Sequence, residues 1–345
     1  MRVTLKDIAT KVGVTKTTVS MALRDHPRVS PAMRATIQRV AGEMGYAPDP
    51  CLRRLAEYRR AGAADPFQGV MAWLNHWDQP EQLRGFQEFE QYWRGAKTAA
   101  QRLGYRLVEF IWPADWPADR AAATLRERGV LGLLIPPHKP EVNWGDFDWN
   151  QFSLMRFGLS VRQPDSNLVT SDHQRAMVMA MQKIHAYGYP RIGLALSRDH
   201  DRSLGGNYSG GFRWAQRLLK LEPPLPPLMA ELRRTPEGRA EFKAALDQWM
   251  KQCQPDAILN NFIEVPALLR ELGYRIPQDV AVAGMSLNDI PVDAGIDQRS
   301  RAIGRIAAEM LIKQISLNER GTPSAPCRIL VESHWQDGLT LPPRR

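Results

Sequence analysis

The chain has 345 residues, 43% of them hydrophobic and 24% charged. That is enough apolar matter for two or three domains with their own cores, and too much for a disordered polyelectrolyte or a collagen-like fibre. Cys51, Cys253 and Cys327 stand far apart with no C-x-x-C pair, which argues against a disulfide framework or a structural zinc site and fits a reducing compartment. No apolar run approaches a bilayer-spanning length, and residues 1–7 lack the apolar core of a signal peptide. A cytoplasmic protein with no membrane partner is expected.

The net charge of +9 is unevenly placed. Residues 1–60 hold 12 Lys and Arg against 5 Asp and Glu, a balance of +7, while the other 285 residues hold 34 against 32. A basic segment on a balanced body points to a polyanion partner, nucleic acid before a membrane surface. The same segment reads as three short helices. Thr4 with Asp7 forms a shortened capping box ahead of the stripe Leu5, Ile8, Ala9 and Val12, and Gly13 stops the helix. Thr15 caps a second helix with Val19, Ala22 and Leu23 inward and Lys16, Thr17, Thr18, Ser20, Met21 and Arg24 outward. Ser30 and Pro31 open a third, with Ile37, Val40, Ala41 and Met44 inward and Gly45 at its end. Two short helices joined by a glycine turn and braced by a third make a helix-turn-helix unit, whose acid-free, donor-rich second helix suits the major groove.

The run from Thr4 to Leu23, with its continuation from Val29 to Pro48, resembles the headpiece of the lactose/galactose repressor (LacI/GalR) family of transcriptional regulators. That resemblance implies that Lys16, Thr17 and Ser20 face bases or nearby phosphates. It implies that Leu5, Lys6, Arg28 and Ser30 clamp the DNA backbone and that Tyr46 lies near the DNA. Thr4, Thr15, Thr18, Met21 and Arg24 complete the expected DNA-facing set. Asp49 as N-cap and Pro50 as first residue then open a helix of about two turns, too short to be stable alone. In the resembling family this is a hinge helix ordered by DNA. Leu55 matches the leucine that wedges into a central minor-groove step, flanked here by Arg53 and Arg54. Pro50 and Leu52 depart from the polar residue and the small alanine that are usual there.

From Phe67 onward short apolar runs at 70–74, 105–111, 132–135, 152–157, 191–196, 257–259 and 280–283 alternate with helical segments at 92–103, 118–128, 173–187, 211–219, 238–251 and 265–272. Such alternation predicts parallel sheets covered on both faces. The fold class expected is an N-terminal all-α helix-turn-helix headpiece followed by an α/β core of two Rossmann-like lobes. Stretches around 93–105, 187–193, 276–284 and 295–311 carry the same family resemblance and imply a periplasmic-binding-protein-like core. The expected domains are a headpiece over 1–47, a hinge helix and linker over 48–64, and an effector-binding and dimerisation core over 65–345. Lobe 1 is expected at about 65–160 and 291–322, and lobe 2 at about 161–290 and 323–340. Crossovers would then lie near 160–163, 288–293 and 321–327.

Ligands in open α/β sheets bind beyond the carboxyl ends of the strands. That places Asn75, Trp77, Arg156, Tyr208, Asn260 and Ser286 as candidates for effector binding, rings for the CH face of a sugar and polar groups for its hydroxyls. Tyr208 stands where the family commonly has Arg, and Ser286 where it commonly has Asp, which counts against an ordinary monosaccharide. The Gly-rich run 205–211 has neither G-x-G-x-x-G spacing nor a Walker lysine, and the seven histidines form no H-x-x-x-H spacing. A sugar-metabolising enzyme or a solute receptor with an incidental basic N-terminus is the alternative class. The reading taken is a homodimeric repressor that binds a palindromic double-stranded DNA operator and answers to a small carbohydrate-like effector, without catalytic residues, metal or cofactor. With no leucine-heptad tail, a dimer rather than a tetramer is expected.

Overall fold

Three helices are each opened by a hydroxyl at the N-cap. In the computed structural model, which describes residues 4–23, 28–44, 46, 68–138 and 142–344, Thr4, Thr15 and Ser30 cap α1 (Leu5–Val12), α2 (Lys16–Ala22) and α3 (Pro31–Glu43). Thr4 and Asp7 form the full reciprocal box, and Gly13 ends α1 in the left-handed region at φ 75°. Ile8, Ala9, Val19, Ala22, Val29, Ile37, Val40 and Ala41 close a small core between the helices. The expected outward set needs one correction, since Thr18, Ser20 and Met21 are half-buried, while Leu23, expected inward, packs against this core. A helix this short turns only a narrow arc to solvent, and Met21 packs on the core. Arg24, Gly45 and the hinge segment 48–64, with Arg53, Arg54 and Leu55, lie outside the described residues.

The chain divides into two compact units, this N-terminal one and a core that begins at Gly69. In the core, β1 (Gly69–Asn75), β2 (Tyr105–Ile111), β3 (Val130–Ile135), β4 (Ser153–Phe157), β5 (Leu168–Ser171) and a late strand, Arg328–Val331, form one six-stranded sheet in which every pairing is parallel. Its helices are α4 (Pro80–Leu83), α5 (Gln87–Arg102) and α6 (Ala118–Glu127). Successive residues of β1 serve opposite faces. Met71 and Trp73 join one apolar cluster, and Val70, Ala72 and Leu74 join the other. That is why the strand reads as a continuous apolar run.

The second sheet holds β6 (Ile192–Ser197), β7 (Leu228–Ala230), β8 (Ala257–Asn260), β9 (Ala281–Gly284) and β10 (Gly295–Asp297), with the antiparallel edge strand His334–Gln336. Around it lie α7 (His173–Ala186), α8 (Arg198–Ser203), α9 (Asn207–Leu218), α10 (Pro236–Cys253) and α11 (Val265–Glu271). After β10 the chain returns to the first lobe as α12 (Ser300–Leu317), followed by β11 (Arg328–Val331) and β12 (His334–Gln336).

The crossovers therefore fall between Ser171 and His173, between Asp297 and Ser300, and between Val331 and His334. All three lie further along the chain than the expected 160–163, 288–293 and 321–327. The cause is the short edge and penultimate strands β5, β10 and β11, which add to each sheet after its obvious apolar strands have ended. The lobe limits change accordingly: 168–171 and 328–331 belong to the first sheet, and 295–297 belongs to the second. At this seam the hydroxyls of Ser171 and Ser333 are 2.8 Å apart.

Helices α5 and α12 touch backbone to backbone at Gly95 and Gly304. A methyl on Gly304 would overlap the Tyr92 carbonyl, and one on Gly95 would overlap that of Arg301. Gly304→Ala should therefore cost about 1–3 kcal/mol or more through overpacking and lower the thermal midpoint. A control such as Gly129→Ala, where no atom lies within 4 Å, tests only the left-handed backbone (φ 68°) and should cost less. Thermal unfolding of both variants checks the order.

Candidate functional site

Two surfaces carry the chemistry, one in each unit. In the N-terminal unit Lys16 and Thr17 are exposed at the start of α2, which has no acidic residue in its first turn. Lys6 and Arg28 are exposed as well. Several hydroxyls of the expected DNA-facing set are occupied by caps. Thr4 Oγ1 donates to Asp7 Oδ2 at 2.7 Å, Thr15 Oγ1 accepts from Thr18 N at 3.1 Å, and Ser30 Oγ accepts from Met33 N at 3.4 Å. Leu5, Met21 and Tyr46 pack partly against the small core. The free donors of this face are therefore chiefly Lys16 and Thr17, and the caps hold them in place.

In the core, the carboxyl ends of both sheets open on one cleft of about 920 Å³ between the lobes. One wall is aromatic. Trp77 and Phe86 have ring centroids 5.9 Å apart, Phe86 and Phe89 5.3 Å, and Phe89 and Tyr92 5.9 Å. Tyr92 in turn stacks on Phe157. Across from this wall, Tyr208 is packed edge-on to His173 and its hydroxyl accepts from Gln298 Nε2 at 3.0 Å.

Three of the six expected effector residues line this cleft: Trp77, Tyr208 and Ser286. The other three do not, and each is spent on building a loop. Asn75 is fully buried and donates to Pro80 O at 2.9 Å and Glu109 Oε1 at 2.8 Å. Asn260 closes a turn on Phe262, donating to its carbonyl and accepting from its N–H, both at 2.8 Å. Arg156 gathers the 161–166 segment, donating to the carbonyls of Val161, Arg162 and Ser166 and to Asp165. A buried amide or guanidinium at a strand end is satisfied by neighbouring groups first, and only Nε of Arg156, outside the cleft lining, is left without a partner.

The cleft contains polar atoms with the opposite property. Ser160 Oγ, His173 Nδ1 and Gln298 Oε1 are buried, line the cleft and have no hydrogen-bond partner. Both Nε2 bonds of Gln298 are taken, by Tyr208 and by the Met285 carbonyl, so only its acceptor remains. Such atoms cost about 1–3 kcal/mol each while unpaired, which a ligand can return. His173 and Gln298 flank two of the crossovers, a position that the early placement of those crossovers concealed.

Glu88 is the other residue missed. It stands near the start of α5, accepts from Tyr92 Oη at 2.5 Å, and accepts from Ser286 Oγ of the other lobe at 3.0 Å. Beside it Asp289 accepts from Gln87 N at 2.9 Å. The N-cap of α5 is Phe86, which has no capping side chain, so a carboxylate from the second lobe takes that role. Burial pushes Glu88 up to about 7, against the hydrogen bonds of Tyr92 and Ser286, and burial raises Asp289 also. His138 Nε2 accepts from His76 N at 3.0 Å while its Nδ1 donates to Pro136 O at 2.7 Å, which fixes a neutral ring. Burial lowers His138 to about 4 and His173 to about 3. Among the described residues no group of His, Cys, Asp and Glu could hold a metal ion, and no helix is long and apolar enough to cross a membrane.

Each of the two units has a counterpart among known protein families. Residues 4–49 match the family of bacterial regulatory proteins called the lacI family, and residues 181–339 match a periplasmic binding protein-like domain. The chain is 35% identical over 330 residues to the HTH-type transcriptional regulator GntR of Escherichia coli (strain K12), covering 91% of this chain and 92% of that one. Its fold is that of the transcriptional regulator CelR–cellobiose complex, with a TM-score of 0.59 at 21% identity, covering 98% of this chain and 100% of that one. The lac repressor dimer bound to operator and the anti-inducer ONPF aligns with a TM-score of 0.54 at 18% identity, over 99% of each chain.

The titrations have opposite signs. An unfolded histidine takes a proton near 6.5 but His138 and His173 do not, so their contribution is full above that pH and is lost as pH falls toward about 4 and 3. At pH 5 each should cost up to about 2 kcal/mol relative to pH 7.5. Glu88, raised in the fold, contributes below its ordinary 4.5 and loses that contribution as pH rises through about 7. Urea unfolding at pH 5.0, 6.5 and 8.0 should show the low-pH loss shrink in His173→Phe and the high-pH loss shrink in Glu88→Gln.

Proposed function

On the premise that the chain belongs to the LacI family of bacterial regulatory proteins, which are DNA-binding transcriptional regulators and not enzymes, we propose that it is a homodimeric repressor of the cytoplasm. It reads a palindromic operator, and a small hydroxyl-rich effector in the core cleft changes its affinity for that operator. On the DNA side, Lys16 and Thr17 at the start of α2 would enter the major groove. Lys6, Arg28 and the basic charge of the first sixty residues would supply salt-sensitive phosphate contacts. Leu55, flanked by Arg53 and Arg54, matches the family's minor-groove wedge.

The observation that carries the effector reading is the set of unpartnered buried atoms, Ser160 Oγ, His173 Nδ1 and Gln298 Oε1, on residues that line one cleft together with the aromatic row. Hydroxyl groups can both donate and accept to such atoms, and aromatic rings suit the apolar face of a sugar. The CelR neighbour is a complex with cellobiose, and the lac repressor neighbour is a dimer on its operator, both in keeping with this reading. The core is expected to hold the dimer interface as well as the cleft.

Selection of bound duplexes from a random library by the full chain tests the proposal. A near-palindrome of about 14–20 base pairs is expected, since a two-fold protein reads a two-fold site. Thr17→Ala, on an exposed side chain outside the core, should weaken the selected site by about 1–3 kcal/mol without altering the thermal midpoint. Recovery of sequence-independent, salt-sensitive binding alone would overturn the proposal.

A further inference from the structure

Among the described residues that line the cleft, the acids Glu88, Asp199 and Asp289 outnumber the arginines Arg162 and Arg202. Both oxygens of Glu88 are hydrogen-bonded, but only by the neutral hydroxyls of Tyr92 and Ser286. The charged group that acts on it is a second carboxylate, Asp289, and among the described residues no cation does so. Asp289 receives backbone N–H groups of Gln87 and Glu88 and no cation either. Of the two arginines on the cleft, Arg202 is paired with Asp199 at 2.9 Å. The other, Arg162, is exposed and is not among the groups that act on Glu88 or Asp289.

We infer that the ligand of this cleft carries a protonated amine as well as hydroxyl groups, with the amine held by Glu88 and Asp289 against the aromatic wall. The inference rests on the reading of the cleft as an effector site and adds the charge of the effector. Two half-buried acids that repel one another without a counter-ion are costly, and the elevated titration of Glu88 is the sign of that cost. An ammonium group removes it by supplying the missing charge and three donors. Trp77, Phe86, Phe89 and Tyr92 line the same space, and aromatic rings attract a cation. Gln298 contributes a further bare acceptor, again suited to a ligand that donates. An anionic ligand would meet two carboxylates instead, and like charges reject it.

The test uses the full chain and sugars matched at one carbon: 6-amino-6-deoxyglucose, glucose and glucuronate, together with the same three forms of cellobiose. Calorimetric titration at pH 6.0 and 8.0 separates the classes, because an aliphatic amine stays protonated across that range while Glu88 does not stay ionised. Beyond Asp289, the titratable groups that feel Glu88 are Tyr92 and Tyr208, and burial holds both in the neutral form across this range. The expected result is an advantage of the amine over the neutral member of about ten-fold at pH 8.0, shrinking at pH 6.0. In Glu88→Gln the ratio of amine to neutral-sugar affinity should fall to about one at both pH values. Binding of the neutral or acidic member as tightly as the amine would overturn the inference and leave the cleft an effector site. Silence of the whole panel, with operator affinity unchanged in Tyr208→Ala, would overturn the reading of the cleft itself and the inference with it.

Discussion

Each six-stranded sheet is completed by chain that has just left, or is about to enter, the other. The chain passes between lobes at Ser171–His173, Asp297–Ser300 and Val331–His334, and Ser171 and Ser333 meet there through their hydroxyls. Three tethers in one seam leave the lobes a hinge-like freedom and little else. They also determine what the cleft presents, because His173 and Gln298 begin or precede the elements that leave the seam. With Ser160 Oγ, which follows β4 of the first lobe, their unpartnered atoms belong to residues that line the cleft, so a ligand that satisfies all three touches both lobes.

The second link across the cleft depends on helix α5. Its first N–H groups have no local cap, since Phe86 occupies the N-cap, and Asp289 of the other lobe accepts from Gln87 N instead. Four amides at a helix start need acceptors, and the partial positive charge there favours a carboxylate. Lobe separation removes that acceptor. The same helix meets α12 through Gly95 and Gly304 with no side chain between, and α12 leaves the seam directly after Gln298. A change in the cleft therefore reaches the surface of the first lobe through backbone contacts that have little slack.

Much of this was legible in the sequence, for definite reasons. Thr4, Thr15 and Ser30 are strong N-cap residues placed ahead of helical apolar stripes, so α1, α2 and α3 could be placed almost to the residue. Strands buried on both faces, such as Gly69–Asn75, announce themselves as unbroken apolar runs. The strand Arg328–Val331 does not, because it is an edge strand with alternating exposure, and missing it moved a crossover. At the site, strand-end logic found the right loops but could not tell which way an amide turns. Asn75 and Asn260 face their own backbone, while Gln298 keeps one oxygen bare. Glu88 belongs to a polar, acidic stretch that reads as an ordinary helix start. Its significance arises only from Ser286 and Asp289, about two hundred residues away.

In the proposed function, occupancy of the cleft and affinity for the operator are one equilibrium. It is tested most directly by measuring operator affinity while a cleft-binding sugar is titrated in. Operator affinity is expected to change by about 5- to 150-fold, with the sugar's own affinity altered by the same factor when operator is present. Equal operator affinity with the cleft empty and with it saturated would contradict it.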